Sequence, residues 1–238
     1  MHRFANPTRV LKIAGAILPW SSGLTVILLI LGLYYALWDS PIDYQQKDSV
    51  RIMYLHVPAA FMAMGGYSLI AVASAVALIW RHPVADLTAK AAAPIGACFT
   101  FICLLTGSLW GQPTWGTWWV WDARLTSVLI LFFLYLGYIA LWQAYDDPTR
   151  AGRAAAILAL VGSVNVPIIH YSVVWWNTLH QGSSLSLSGS KIDPTMLRPL
   201  LLMTGAFAAY FATVLIYRLR SEIVARKLRT LRLAAAQG

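Results

Sequence analysis

Six stretches of about twenty mostly apolar residues, near 18–38, 57–80, 88–110, 125–144, 154–172 and 196–217, dictate what this 238-residue chain can become. With a rise of about 1.5 Å per residue, each is long enough to cross a hydrocarbon layer of about 30 Å. Inside such a layer every backbone N–H and C=O must be satisfied within its own segment, so separate spans of this kind have to be helices. Composition agrees. Hydrophobic residues make up 59% of the chain and charged residues 11%, whereas a water-soluble domain carries about 25% charged residues. The expected fold class is all-α: a polytopic membrane bundle of six transmembrane helices, forming one domain over 1–238. Pro58 falls in the first turn of the second helix, where a missing N–H costs little. Pro94 and Pro167 lie inside spans and are expected to kink them. The first stretch follows Arg3, Arg9 and Lys12 without a clear cleavage site, and reads as an uncleaved first helix.

The formal net charge of +9 would suggest nucleic acid in a soluble protein, but the charges are sorted by side. One side holds thirteen basic residues: Arg3, Arg9, Lys12, Arg81, Lys90, Arg150, Arg153, Arg218, Arg220, Arg226, Lys227, Arg229 and Arg232. The other holds five, Lys47, Arg51, Arg124, Lys191 and Arg198, balanced by Asp39, Asp43, Asp48, Asp122 and Asp193. Basic residues collect on the cytoplasmic side. Both termini are therefore expected there, and the segments near 39–56, 110–124 and 173–195 face outward. The basic tail from Arg218 to Arg232 is expected to continue as a helix on the membrane surface, facing anionic headgroups or a cytoplasmic protein. No P-loop pattern occurs, so the chain is not expected to hydrolyse ATP. No Asp or Glu falls within any of the six stretches, which disfavours an ion-coupled transporter. Cys98 and Cys103 share one span and no C-x-x-C-H occurs, so both read as small buried packing residues. Residues 182–190, GSSLSLSGS, form a flexible small-residue stretch.

Residues 110–127 read WGQPTWGTWWVWDARLTS, with Trp110, Trp115, Trp118, Trp119 and Trp121 in one outer loop that closes on Asp122 and Arg124. An interfacial aromatic belt accounts for Trp20, Trp38, Trp80 and Trp142 near span ends. It does not account for five indoles in a single loop. With Gly111 and Gly116 permitting close backbone approach, the segment reads as an aromatic ledge for a flat, mostly apolar ligand. His2 and His82 read as solvated residues. His56, in YLHVPAA, and His180, in WWNTLHQG, stand at the outer boundary on either side of the ledge in sequence. Each is a helix-entry or loop histidine or else a ligand. His170, in PIIHYSV, reads as a ligand or, in preference, as a hydrogen-bonded residue of the bundle interior. Two imidazoles on opposite sides of a flat macrocycle, with indoles along its face and edge, describe a haem site. Arg51 and Arg124 are candidates for bidentate pairing with haem propionates; Arg124 alternatively pairs with Asp122 or anchors the interface. Asp122 orients an indole N–H or a backbone amide, or caps the fourth helix. Two other readings stay open: a b-type electron-transfer cytochrome, which needs histidine pairs at mid-depth, and a membrane subunit of an ABC transporter.

The segment WGTWWVWD resembles the tryptophan-rich WWD signature of haem-handling membrane proteins of cytochrome c biogenesis. Six spans, with YLHVPAA before the signature and WWNTLHQG after it, resemble the haem exporter protein C family, the C subunit of the bacterial cytochrome c maturation system. The resemblance covers nearly the whole chain. It implies a haem-binding and transfer subunit rather than an enzyme, with lyase-like assistance of haem attachment left open. The cargo would be haem b (iron protoporphyrin IX), held at the periplasmic face of the bacterial inner membrane. It implies His56 and His180 as axial iron ligands, and Trp115, Trp118, Trp119, Trp121 and Asp122 as the platform within the 110–127 haem-binding loop. The implied partners are a membrane-tethered haem chaperone, an ABC-type ATP-binding subunit with its membrane subunit, and a small single-span protein.

Overall fold

The computed structural model describes residues 6–180, 182, 184–186 and 189–236; His2 and Arg3 lie outside these, as does part of the 182–190 stretch. Helix α1 (Pro7–Tyr34) starts behind Asn6, whose side chain accepts from the Thr8 and Arg9 amides, with Pro7 in the first turn. It widens into a π-helical turn, Tyr35–Asp39. A 3-10 turn, Asp48–Ile52, leads into α2 (Met53–Trp80). There follow α3 (Ala85–Trp115), α4 (Ala123–Ala144), α5 (Pro148–Gly162) and α6 (Asn165–Trp175). A two-residue antiparallel hairpin, β1 (Leu185–Ser186) and β2 (Gly189–Ser190), precedes α7 (Pro194–Ala235).

Six helical segments are long and apolar enough to cross a membrane, α5 and α6 together forming the fifth. This is the all-α six-span bundle expected, and the chain is a multi-pass membrane protein. The even count puts the beginning of α1 and the end of α7 at one end of the bundle. The segments 39–48, 115–123 and 175–194 lie at the other.

The centre is built from small residues. Ala59, Ala63, Ala89, Ala92 and Ala93 are almost wholly buried between α2 and α3; small side chains let helices in lipid approach closely, where packing rather than hydrophobic burial holds them together. Large side chains enter where glycine leaves room. Tyr135 sits against Gly96 and donates its hydroxyl to the Ala63 carbonyl at 2.7 Å, which joins α4 to both α2 and α3. Helix α1 packs on α7 through Gly32 against Met203 and through a Thr25–Thr213 hydroxyl pair at 3.2 Å.

Four expectations about helix bounds and the cysteines change in the structure. Helix α3 does not end near 110: it runs unbroken through Pro94 and Pro113 to Trp115, so Trp110 and Trp115 are helical and only 116–122 is loop. Gly116, at φ +76°, ends the helix in the left-handed conformation that glycine adopts without strain. The fifth span divides at Ser163–Val164. Pro167 has no N–H for the Ser163 carbonyl, which instead accepts from Val166 at 3.1 Å. Asn165 at the break donates to the Ser127 carbonyl at 2.8 Å.

The basic tail is no separate surface helix. Helix α7 is continuous over 42 residues, about 63 Å, and its arginines grip the loops at the terminal end of the bundle. Arg226 donates to the Pro83 carbonyl at 2.9 Å and pairs with Asp86, in the first turn of α3, at 2.7 Å, and Arg229 donates to the Asp146 carbonyl at 3.0 Å. Finally, Cys103 is buried but Cys98 is exposed on the bundle surface, so Cys98 is not an interior packing residue.

Candidate haem site

The turn that feeds α2 is stapled to the end of α1. Arg51 donates through Nη1 to the Ala36 carbonyl at 3.1 Å and to the Leu37 carbonyl. Its Nη2 donates to the Ser40 carbonyl and its Nε to Asp48, each at 3.2 Å. The Tyr54 and Ser40 hydroxyls bond each other in the buried layer beneath. These contacts use the guanidinium on carbonyls left open at the helix end, and they fix the turn just before His56.

His56 leans from α2 onto α3. Its Nδ1 lies 3.0 Å from the Cys103 carbonyl oxygen and 3.1 Å from Thr106 Oγ1. Thr106 gives its hydroxyl proton to the Ile102 carbonyl at 2.6 Å, so it presents a lone pair to the imidazole. Both partners accept, so Nδ1 carries the proton and Nε2 keeps the free lone pair that a metal needs. Gly107 makes the seat: a Cβ there would stand 2.9 Å from His56 Cε1. The Trp110 ring meets the imidazole edge-on at 5.8 Å between centroids, while its Nε1 donates to Gln46 Oε1 at 2.8 Å.

His180 reaches the same end of the bundle from the last loop. Its ring meets Trp115 edge-on at 4.8 Å. Its Nδ1 is buried without a hydrogen bond, 3.7 Å from Asp122 Oδ2. Burial first, and then the positive charge of Arg124, hold this imidazole down to about 4 against the upward pull of Asp122. It is therefore neutral at neutral pH, the form that ligates iron.

Asp122 caps α4 through Oδ1, which accepts from the Leu125 amide at 2.7 Å. Arg124 ties α4 to α6: its Nε donates to Ser172 Oγ at 3.2 Å, and its Nη2 to the Ile169 and His170 carbonyls, both at 3.4 Å. The loop between α3 and α4 is held by its own hydroxyls. Ser108 donates to the Trp118 carbonyl at 2.8 Å and Thr117 to the Trp119 carbonyl at 3.1 Å. Trp118 and Trp121 are exposed, at 57% and 76%. Trp119 packs edge-on against Trp121 at 5.5 Å, with its own Nε1 buried and unbonded. Two buried donors without acceptors and two uncovered indoles therefore share the end of the bundle that carries both imidazoles.

His56, His180, Asp122, Arg124 and the tryptophans gather at one end, with Arg51 one helical turn before His56. His170 does not lie in the bundle interior as expected; it is exposed on α6, with its ring edge-on to Tyr171 at 4.7 Å. Thr106, Gly107 and Gln46 went unremarked in the sequence, and Cys103 was read there only as a packing residue. The spacing of 103, 106, 107 and 110 along one face of α3 is a helical signal, but nothing in it says that His56 is what that face meets. A crevice of about 400 Å³ between Pro7, Pro83 and Ile223 lies at the opposite end.

The fold and this arrangement define a class: a multi-pass helical membrane protein with an imidazole-and-indole site at one end. Comparison with known proteins narrows it. The model of the family described as haem exporter protein C matches residues 1–234. The haem exporter protein C of Bradyrhizobium diazoefficiens is 55% identical over 98% of this chain and 88% of its own length. That of Escherichia coli K12 is 53% identical over 94% and 91%, and that of Rhodobacter capsulatus 45% over 96% and 95%. The chain belongs to the haem exporter protein C family.

Proposed function

We propose that this protein binds haem at the periplasmic face of the bacterial inner membrane and hands it to a membrane-tethered haem chaperone during cytochrome c maturation. His56 and His180 supply the two axial nitrogens to the iron of haem b, which is cargo rather than a resident cofactor. A porphyrin brings four nitrogens of its own, so two protein donors complete the coordination. Trp115, Trp118, Trp119, Trp121 and Asp122 form the platform. Among the propionate candidates, Arg124 has Nη1 left over from its helix contacts among the described residues, whereas Arg51 is engaged at the end of α1.

The single observation that carries this reading is convergence. Two imidazoles from different segments, each edge-on to an indole of α3, stand at one end of the bundle beside the exposed Trp118 and Trp121. An open ledge leaves one edge of the macrocycle for a recipient, which a pocket buried between helices would deny. Family membership supports the wider assignment: a transfer subunit that works beside an ABC-type ATP-binding subunit, its membrane subunit and a small single-span protein.

The test is direct. His56→Ala and His180→Ala, each expressed with the chaperone, are expected to lose the absorbance of co-purified haem and to cut covalent loading of the chaperone at least tenfold, the usual scale for loss of a metal-site interaction being about 10–100-fold. Unchanged loading in both variants would refute the ligand assignment.

A further inference from the structure

The two imidazoles are backed by chemically different partners. Behind His56 stand two neutral acceptors, the Cys103 carbonyl and the Thr106 hydroxyl. Behind His180 stands a carboxylate. The Asp122 side chain is only 8% exposed, and its Oδ2 lies 3.7 Å from the buried, unbonded Nδ1 of His180. Its other oxygen is fastened to the Leu125 amide at 2.7 Å, so the carboxylate belongs to the rigid first turn of α4. Oδ2 also accepts from the amide of Leu179 at 3.4 Å, which grips the backbone one residue before the ring. Among the described contacts, Nδ1 has no competing acceptor.

We propose that Asp122 is the positioning residue of His180 and makes it the stronger of the two axial donors. The inference rests on the ligand reading above. With iron on Nε2, the Nδ1–H of His180 closes on Oδ2. A carboxylate behind an imidazole fixes its tautomer and raises the basicity of the ligating nitrogen, and a full negative charge does so more strongly than the dipole of a carbonyl or hydroxyl. The site is therefore directional. The iron bond to His56 is the weaker and breaks first when haem leaves; the bond to His180 breaks last.

The test uses the full chain carrying haem, with Asp122→Asn as the main variant and Asp122→Ser as the second. Both side chains still cap α4, neither carries charge, and serine is too short to reach the ring. The readouts are the reduction potential of the bound haem and its affinity. Asp122→Asn is expected to raise the potential and to weaken haem binding about tenfold. The same substitution in a His56→Ala background supplied with free imidazole is expected to raise the potential again. In a His180→Ala background supplied with imidazole it is expected to do nothing, because the free ring is not held against the carboxylate. A structural role at the helix cap would move none of these potentials selectively. If Asp122→Asn does not accumulate, Asp122→Ser reads the same cycle. An unchanged potential while His180→Ala loses its ligand overturns the proposal alone, as does an equal shift in the His180→Ala background. A native haem spectrum in His180→Ala overturns the ligand reading and the proposal with it.

Discussion

At the scale of single residues, the seat of His56 depends on what α3 withholds as much as on what it offers. Gly107 offers no side chain, and the imidazole fills that space. Gly107→Ala is expected to push the ring off its acceptors and to cut haem retention about tenfold or more, while far-ultraviolet circular dichroism stays that of a folded bundle. Thr106→Val is the milder probe. The Cys103 carbonyl still takes the Nδ1 proton, so a loss of severalfold in haem affinity is expected, smaller than that of Gly107→Ala when both are titrated with haem. Neither role was legible in the sequence. Thr106 and Gly107 look like ordinary small residues of a membrane helix, and only the register between α2 and α3 shows what they hold. The histidines and tryptophans were legible, because a spanning helix has little reason to place imidazole and clustered indole at its outer boundary unless something polar and flat meets them there.

At the scale of elements, hydropathy located all six spans but not their ends. The backbone goes on coiling through polar residues that a membrane-thickness argument excludes: α1 begins eleven residues before the apolar stretch at 18, and α3 continues to Trp115. Continuation of α3 turned a supposed loop into a rigid rod carrying Trp110 and Trp115. The break at Ser163–Val164 was foreshadowed by Pro167, although the sequence could not say whether that proline would bend the span or divide it. Arg51 belongs to this scale as well. It joins the last turn after α1 to the first turn before α2, and its removal leaves three carbonyls without their donor. Arg51→Ala is expected to destabilise the bundle by about 1–3 kcal/mol, measured by denaturant titration in detergent. If the staple is its main work, the variant weakens binding of haem and of its propionate dimethyl ester alike; a propionate contact would weaken haem alone.

At the scale of the whole molecule, the chain puts the arginines of α7 at one end and the imidazole-and-indole cluster at the other. Arginines of α7 fasten the loops around Pro83 and Asp146 at one end, and His56, His180, Trp118 and Trp121 occupy the other. The expected orientation places the basic end in the cytoplasm. A cysteine introduced at Tyr44, which is 85% exposed beside the aromatic end, is expected to react with a membrane-impermeant maleimide applied to spheroplasts. One introduced at Leu231 is expected to react only after the membrane is opened. The reverse pattern would invert the topology and move the haem site to the cytoplasm. The native Cys98 and Cys103 serve as internal references, one on the bundle surface and the other enclosed.

Both proposed iron donors rest on the same rod. His56 rests against positions 103–110 of α3, and His180 against Trp115, a few residues further along. The gap between the two nitrogens is thus metered by helical pitch rather than by the slack of a loop. One residue inserted after Gly111 would swing Trp115 through about 100° and lift it by about 1.5 Å. The bundle below would stand, yet the calliper proposed to grip the macrocycle would no longer close.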